Sequence, residues 1–279
     1  MLILRFRPNS CSGASMRISI IAVVFLLLTG CATVAPPSSP ASQSVTSTDR
    51  NQAEAAWSSV LKQNVDDQGR VDFAAVASNR ADLNRFVSFI YAAAPNNRPD
   101  LFSGPQDTLA FHINAYNALA MYNVIDSGIP ASLAGVRKIR FFALKKISVG
   151  TRQISLYDYE NDIIRKLNEP RIHFALNCMV VGCPRLPREP FVGAQLNEQL
   201  DAATRLFFAE PRNLVIDPQR KVIRVSEILK FYTEDFLQQE SSLARYIARY
   251  RELPAADAYT VEFITYDWTV NIVSGTPAR

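Results

Sequence analysis

"DTLAFHINAYNALAMYNVIDSG", residues 107–128, reads as one helix of about six turns, stopped by Gly128 and Pro130. Projected at about 100° per residue, its apolar side chains fall nearly all round, so no face is left for water. Such a helix belongs in the middle of a core, covered on every side by the rest of the domain. Its polar interruptions are orderly: Asn114 and Asn117 share a stripe with Ala110 and Met121, while His112 and Tyr116 lie nearly opposite. Buried amides need partners for several donors and acceptors. Asn114 and Asn117 therefore either line a polar pocket or pin neighbouring loops by their backbone, and pinning is the favoured expectation. His112 faces away from both and cannot share one small site with them.

Shorter elements surround this centre. "NQAEAAWSSVLKQNV" (51–65) reads as a helix and "DDQGRVDF" (66–73) as a turn into a short extended piece. A second helix covers about 80–93 and stops before Pro95. "KKISVGTRQISL" (145–156) is a hairpin turning at Gly150-Thr151. Ser155 caps a helix from Leu156 to Leu167, with Asp158 three residues on. "RIHFAL" (171–176) reads as a strand, and a helix follows from about Ala194 to Ala209. "NLVIDPQRKVIRV" (213–225) is a second hairpin, with short helices at 226–238 and 241–250 and a last extended piece near "VEFITYDW" (261–268). Helices and hairpins in no strict alternation predict an α+β fold: a helix-rich single domain with a buried central helix and a small sheet.

The N-terminal region has a different character. From Met16 to Cys31, "MRISIIAVVFLLLTGC" offers one arginine, an apolar run of about a dozen residues and a small residue before the cut. Residues 1–30 are expected to be a secretory signal, with Met16 a better start than Met1. Leu28-Thr29-Gly30-Cys31 resembles a bacterial lipobox, which makes Cys31 the lipidated first residue of the mature chain. Residues 31–50, rich in Pro, Ser and Ala, read as a tether, leaving 51–279 as the globular domain. The expected setting is the cell envelope, attached to a membrane by lipid. Ala32 after the cysteine resembles lipoproteins sent to the outer membrane, facing the periplasm. Removing Arg5, Arg7 and Arg17 with the leader changes 30 basic against 26 acidic side chains into 27 against 26. That balance gives no warrant for a nucleic-acid partner, and no cofactor motif is visible.

Chemistry-bearing residues concentrate in "PRIHFALNCMVVGCPRL", residues 170–186, which holds one of only two histidines and two of four cysteines. Once Cys11 and Cys31 are set aside, Cys178 and Cys183 form an even pair. In an oxidising compartment the default for such a pair is a disulfide. The alternatives are a nucleophilic Cys178 with His173 as base, or a metal held by His173, Cys178 and Cys183, whose spacing matches no usual zinc pattern. An ideal strand would send His173 and Cys178 to opposite faces, which counts against a dyad. Glu160 falls in the apolar stripe of its helix, where a carboxylate needs a partner. Arg171, His173, Asn114 and Asn117 are the candidates, and a buried acid with a specific partner marks either a site or an internal ion pair.

These blocks also carry a resemblance. "GRVDFAAV" (69–76), "FHINAYNAL" (111–119), "SLYDYENDIIRKL" (155–167), "PRIHFALNCMVVGCPRL" and "YDW" (266–268) are similar, in that order, to the family of domain of unknown function 547. The resemblance spans most of residues 55–270. It implies shared importance for Asn114, Tyr116, Asn117, Glu160, Arg165, Arg171, His173, Cys178, Cys183, Asp267 and Trp268. His112 stands where the family usually has Trp, which removes it from the shared machinery. The family implies no reaction. Two functions stay open: a hydrolase or acyl transferase on an envelope amide or ester, with Cys178 as nucleophile, His173 as base, Glu160 as orienter and Asn114 nearby, or a non-enzymatic module binding an envelope ligand or protein, with a Cys178–Cys183 disulfide and an internal Glu160–Arg171 pair. A metal-dependent enzyme is a third, weaker reading.

Overall fold

The computed structural model describes residues 44–273. The expected signal, lipidation site Cys31 and most of the tether lie outside the described residues. The first helix, α1 (Ser47–Asn64), starts earlier than the domain boundary read from composition. Thr46 is its cap: the hydroxyl accepts from the Asp49 backbone N–H, and the Asp49 carboxylate accepts from the Thr46 N–H. A short α2 (Phe73–Ser78) escaped the sequence reading because six residues show no periodicity; Asp72 caps it by accepting from Ala75 N–H. α3 (Ala81–Ala92) packs on α1, with Trp57 and Phe86 stacked across the contact at 5.6 Å between ring centres.

The long apolar helix is α4 (Pro105–Asp126), and from Leu109 to Ile125 every one of its residues is buried. The all-round apolar pattern thus placed it correctly. After it, α5 (Val136–Ile139) continues into a π turn, Arg140–Leu144, neither of which the sequence reading expected. The hairpin of β1 (Lys146–Val149) and β2 (Arg152–Ser155) follows, with Gly150 at φ 58° in its turn and Val149 opposite Arg152. A side chain at residue 150 would collide with the amides of Asn96 and Asn97, so glycine serves both conformation and space there.

Ser155 caps the next helix as expected, accepting from Asp158 N–H at 3.0 Å. The helix is not uniform: α6 (Leu156–Tyr159) widens into a π turn at Glu160–Ile164 and tightens to a 3₁₀ turn at Arg165–Leu167. The strand read over 171–176 is absent. Pro170–Phe174 is a 3₁₀ helix, started by Pro170 and by the Glu169 carboxylate accepting from Arg171 N–H. Ile172, His173, Phe174, Ala175 and Leu176 are all buried, and a short segment covered on every side has no period that tells strand from helix.

α7 (Leu196–Ala209) is followed by β3 (Leu214–Asp217) and β4 (Val222–Ser226), the second expected hairpin. Three short helices, α8 (Ile228–Phe231), α9 (Thr233–Leu237) and α10 (Leu243–Ala248), stand where two were read. They carry the chain over to β5 (Thr260–Ile264), which joins β4 in parallel, not as a further antiparallel partner. The α+β class holds, with two small sheets and a helical body. Among the described residues no helix is long and apolar enough to cross a membrane.

Phe174 sits at the hub of an aromatic cluster, with the rings of Phe207, Phe208 and Phe236 centred 4.8, 5.1 and 5.6 Å away. Phe174→Ala is expected to lower the unfolding free energy by about 3–5 kcal/mol in urea titration, since a filled aromatic site becomes a cavity.

Candidate functional site

Two of the three asparagines of α4, Asn114 and Asn117, act on backbone, as pinning requires; the fully buried Asn123 has neither amide atom partnered among the described residues. Asn114 clamps residue 191: its Nδ2 donates to Phe191 O at 2.7 Å and its Oδ1 accepts from Phe191 N–H at 3.0 Å. Asn117 does the same to the segment before the cysteines, donating to Ala175 O at 3.0 Å and accepting from Asn177 N–H at 2.7 Å. Asn177 continues the chain of bonds. Its Oδ1 accepts from Met179 N–H and its Nδ2 donates to Pro184 O, both at 2.7 Å, closing the loop that carries Cys178 and Cys183. That closure holds Met179 in the left-handed region, at φ 71°. Gly182 lets residue 267 pass close by: any Cβ there would lie 2.9 Å from the Asp267 backbone.

The two sulfurs meet inside this loop. They are thiols 3.0 Å apart, in hydrogen-bond contact without the covalent bond expected of a disulfide. Cys183 Sγ also accepts from Cys178 N–H at 3.1 Å, and the Tyr266 hydroxyl lies 3.0 Å from Cys183 Sγ and 3.5 Å from Cys178 Sγ. The contact is unequal. Cys178 is pushed well above the usual thiol range by donating to Cys183 and by burial. At Cys183 burial acts in the same upward direction, but bonds from Cys178, Tyr266 and backbone amides outweigh it and bring that thiol below its ordinary value. Cys183, not Cys178, is the sulfur built to hold negative charge.

Glu160 is buried, 8% exposed, on the π turn of its helix. Neither Arg171 nor His173 holds it. Tyr116 O–H donates to Glu160 Oε2 at 3.0 Å, and the Tyr232 hydroxyl is its second partner. Both phenols are driven far above their usual range by burial and then by the carboxylate, so they remain protonated donors. Arg171 turns outward to Glu169 at 2.6 Å and Asp201 at 2.9 Å, fastening the 3₁₀ turn to α7. The expected Glu160–Arg171 pair is therefore replaced by a carboxylate–tyrosine cluster.

His173 faces a residue the sequence reading missed. Its Nε2 meets Asp235 Oδ2 at 2.8 Å, and its ring stacks on Tyr232 at 3.8 Å. Arg165 holds the same Asp235 with two bonds of 2.7 Å, the bidentate geometry that favours arginine. The Asp235 carboxyl is held far below its usual range: bonds from His173 and Arg165 overcome the opposing effect of burial. Burial lowers the His173 pKa against the pull of Asp235 and Glu160. In the neutral ring that donates to Asp235, Nδ1 is left buried without a partner. Cys178 Sγ bonds Cys183 and Tyr266, not His173, so the expected Cys178–His173 dyad is not formed. Asn114 is likewise committed elsewhere. Among the described residues no group of three His, Cys, Asp or Glu side chains is placed to hold a metal ion, which leaves the His173–Cys178–Cys183 metal alternative without a ligand set.

Trp268 forms a half-buried rim beside Tyr266, their rings 4.7 Å apart, with Lys138 Nζ 4.0 Å above the indole. Asp267 is exposed and its carboxylate accepts from Thr269 N–H, away from the cluster. Tyr232 and Asp235 are legible only as polar residues three apart in "FYTEDF" (231–236), and Tyr266 in "YDW" (266–268) carries no signal that sets it above its neighbours. A separate groove of about 430 Å³ runs along α7, with Phe174, Phe191 and Leu206 among its apolar lining and Arg185 and Arg188 at its edge.

Residues 100–208 match the family model described as "Protein of unknown function, DUF547". No curated protein and no solved structure matches the chain. The matched segment contains Asn114, Asn117, Tyr116, Glu160, Arg165, Arg171, His173 and the two thiols. Tyr232, Asp235, Tyr266 and Trp268 complete the cluster from beyond the matched residues.

Two outcomes follow from this geometry. Burial holds His112 down to about 4, its Nδ1 bonded to Tyr159 O–H at 2.8 Å. The unfolded chain then binds a proton that the folded chain refuses between about pH 6.5 and 4, so stability falls as pH drops through that window, by up to about 3 kcal/mol. Buried His173 adds in the same direction, while Asp235 loses its contribution only below the ordinary carboxylate range, near pH 4. The thermal midpoint should decline from pH 7 to 4.5, with a shallower slope in His112→Gln. Asn117→Ala, which strips partners from a buried N–H and a buried C=O, should cost about 2–4 kcal/mol in urea titration.

Proposed function

We propose that this chain is a lipid-anchored envelope protein, attached through Cys31 and facing the periplasm at the outer membrane. Its domain is a binding or scaffolding module, in which the Cys178–Cys183 thiols close to a disulfide by exchange with an oxidised disulfide of the envelope, which is reduced to a dithiol in their place. The groove along α7 is the binding surface for an envelope ligand or protein: its apolar floor and charged edge suit an extended peptide or a glycan stem. One observation carries the reading: the sulfurs touch at 3.0 Å while His173 is engaged by Asp235. A simple thiol hydrolase needs its base on the nucleophile. Here the histidine is on a carboxylate, and Cys178 is the thiol least inclined to ionise.

The hydrolase or acyl-transferase reading keeps one argument of its own, the Glu160–Tyr116–Tyr232 cluster. A carboxylate held by two phenols is the kind of buried, specifically partnered group found at working sites. It requires His173 to leave Asp235 before Cys178 can be deprotonated.

The deciding experiment is peptide mass analysis of the protein isolated from the envelope, alkylated with iodoacetamide in denaturant. Peptide 172–185, released by trypsin, carries both cysteines. The module predicts a peptide lighter by two hydrogens and unlabelled until reduction. If Cys178 instead labels in the native protein faster than free cysteine at neutral pH, the module reading fails and the thiol enzyme replaces it.

A further inference from the structure

A near-neutral total conceals a one-sided segment. From Ser127 to Tyr157 the chain has no acidic residue, and it carries Arg137, Lys138, Arg140, Lys145, Lys146 and Arg152. Lys145 and Lys146 are neutralised by Asp126 and Asp158, and Lys138 lies over Trp268. Arg137, Arg140 and Arg152 are exposed and have no ion pair among the described residues.

The same segment shows the three most exposed large apolar side chains of the described residues: Val136 at 81%, Leu144 at 59% and Ile139 at 58%. All three stand on the continuous helical stretch formed by α5 and its π turn. Ile139 follows Val136 by one turn, and the wider π turn brings Leu144 round to the same side. The opposite side is fixed to the body by Phe141, which is buried in the hydrophobic core. This helix is therefore amphipathic the wrong way out for a soluble surface: an aromatic anchor inward, aliphatic knobs outward, with two free arginines among the knobs.

We propose that residues 136–144 form a second membrane contact, seating Val136, Ile139 and Leu144 in the headgroup–acyl boundary while Arg137 and Arg140 bind the phosphates of anionic phospholipid. Convex aliphatic knobs beside unpaired guanidiniums fit a fluid anionic surface. Trp268 and Phe142, with rings 6.0 Å apart at the side of this helix, sit at the level where aromatic side chains favour the interface. A lipid anchor at Cys31 on a Pro/Ser-rich tether and a basic-apolar patch are complementary signals, because the tether keeps the domain near the membrane without fixing its orientation. The patch would fix the orientation of the domain, holding the Trp268 rim of the thiol site toward the bilayer. It stands apart from the thiol reading and survives its failure.

The native tryptophans supply the test. The chain has two, and Trp57 is deeply buried while Trp268 lies beside the patch. The full-length protein is reconstituted into vesicles of phosphatidylglycerol and phosphatidylethanolamine with brominated acyl chains, which quench indole on close approach. Docking predicts loss of emission by up to the share that Trp268 contributes. Ile139→Glu with Leu144→Glu, both at exposed positions, should restore emission. Arg137→Gln with Arg140→Gln should weaken quenching on these vesicles and leave the residual signal insensitive to salt. Circular dichroism confirms that each variant is folded. Trp268 emission unaffected by bromine while the protein stays on the vesicles overturns the proposal, and points to a protein as the occupant of this face. Quenching that persists unchanged in the double glutamate variant overturns it equally.

Discussion

Everything in this domain depends on burying a helix that carries amides. α4 gives no residue to water between Leu109 and Ile125, so its side-chain amides must be satisfied by protein or cost the core their desolvation. Asn114 and Asn117 meet this constraint by bonding backbone, each closing a pair of bonds on one passing segment, whereas Asn123 bears the cost with its amide unpartnered among the described residues. The requirement runs in both directions. The carbonyl of Ala175, the N–H of Asn177 and both backbone groups of Phe191 belong to no sheet or helix ladder, and α4 supplies their partners. Loop and helix are each other's solvent, and the cysteine loop is held where it is by this exchange.

The electrostatics of the site follow from the same dryness. His112 and His173 are kept neutral, one against a phenol and the other against a carboxylate that is itself clamped by Arg165. Glu160 is met by hydroxyls instead of a cation, so its cluster carries no compensating positive charge in contact. Between the thiols, low dielectric magnifies a small asymmetry of donors: Cys183 receives an amide and a phenol, whereas Cys178 donates. Bond geometry alone therefore separates two residues of identical type. A mechanism that begins at Cys178 works against that arrangement.

Much of the fold was legible. The all-round apolar helix, both hairpins, the Ser155 cap and α7 announced themselves through periodicity, turn residues and capping chemistry, which act locally. The cluster was half legible. Glu160 and the cysteines stood out because a carboxylate in an apolar stripe and scarce thiols in one loop are unusual anywhere. Tyr232, Asp235 and Tyr266 did not, because a phenol or an acid in a short amphipathic helix or near a chain end looks like ordinary surface. Their roles exist only through residues more than sixty positions away.

The sequence by itself determined which elements are buried and which residues had to find partners, since hydrophobic period and polar cost are properties of residue type. Only the tertiary structure decided who those partners are. His173 turned to Asp235 because Pro170 and Glu169 wind its segment into a 3₁₀ turn instead of a strand. Glu160 turned to tyrosines because a π turn redirects it within its own helix. Both changes rotate one side chain by a fraction of a turn. At that scale competing local hydrogen bonds, each worth about 1 kcal/mol, outweigh any average preference a residue brings with it.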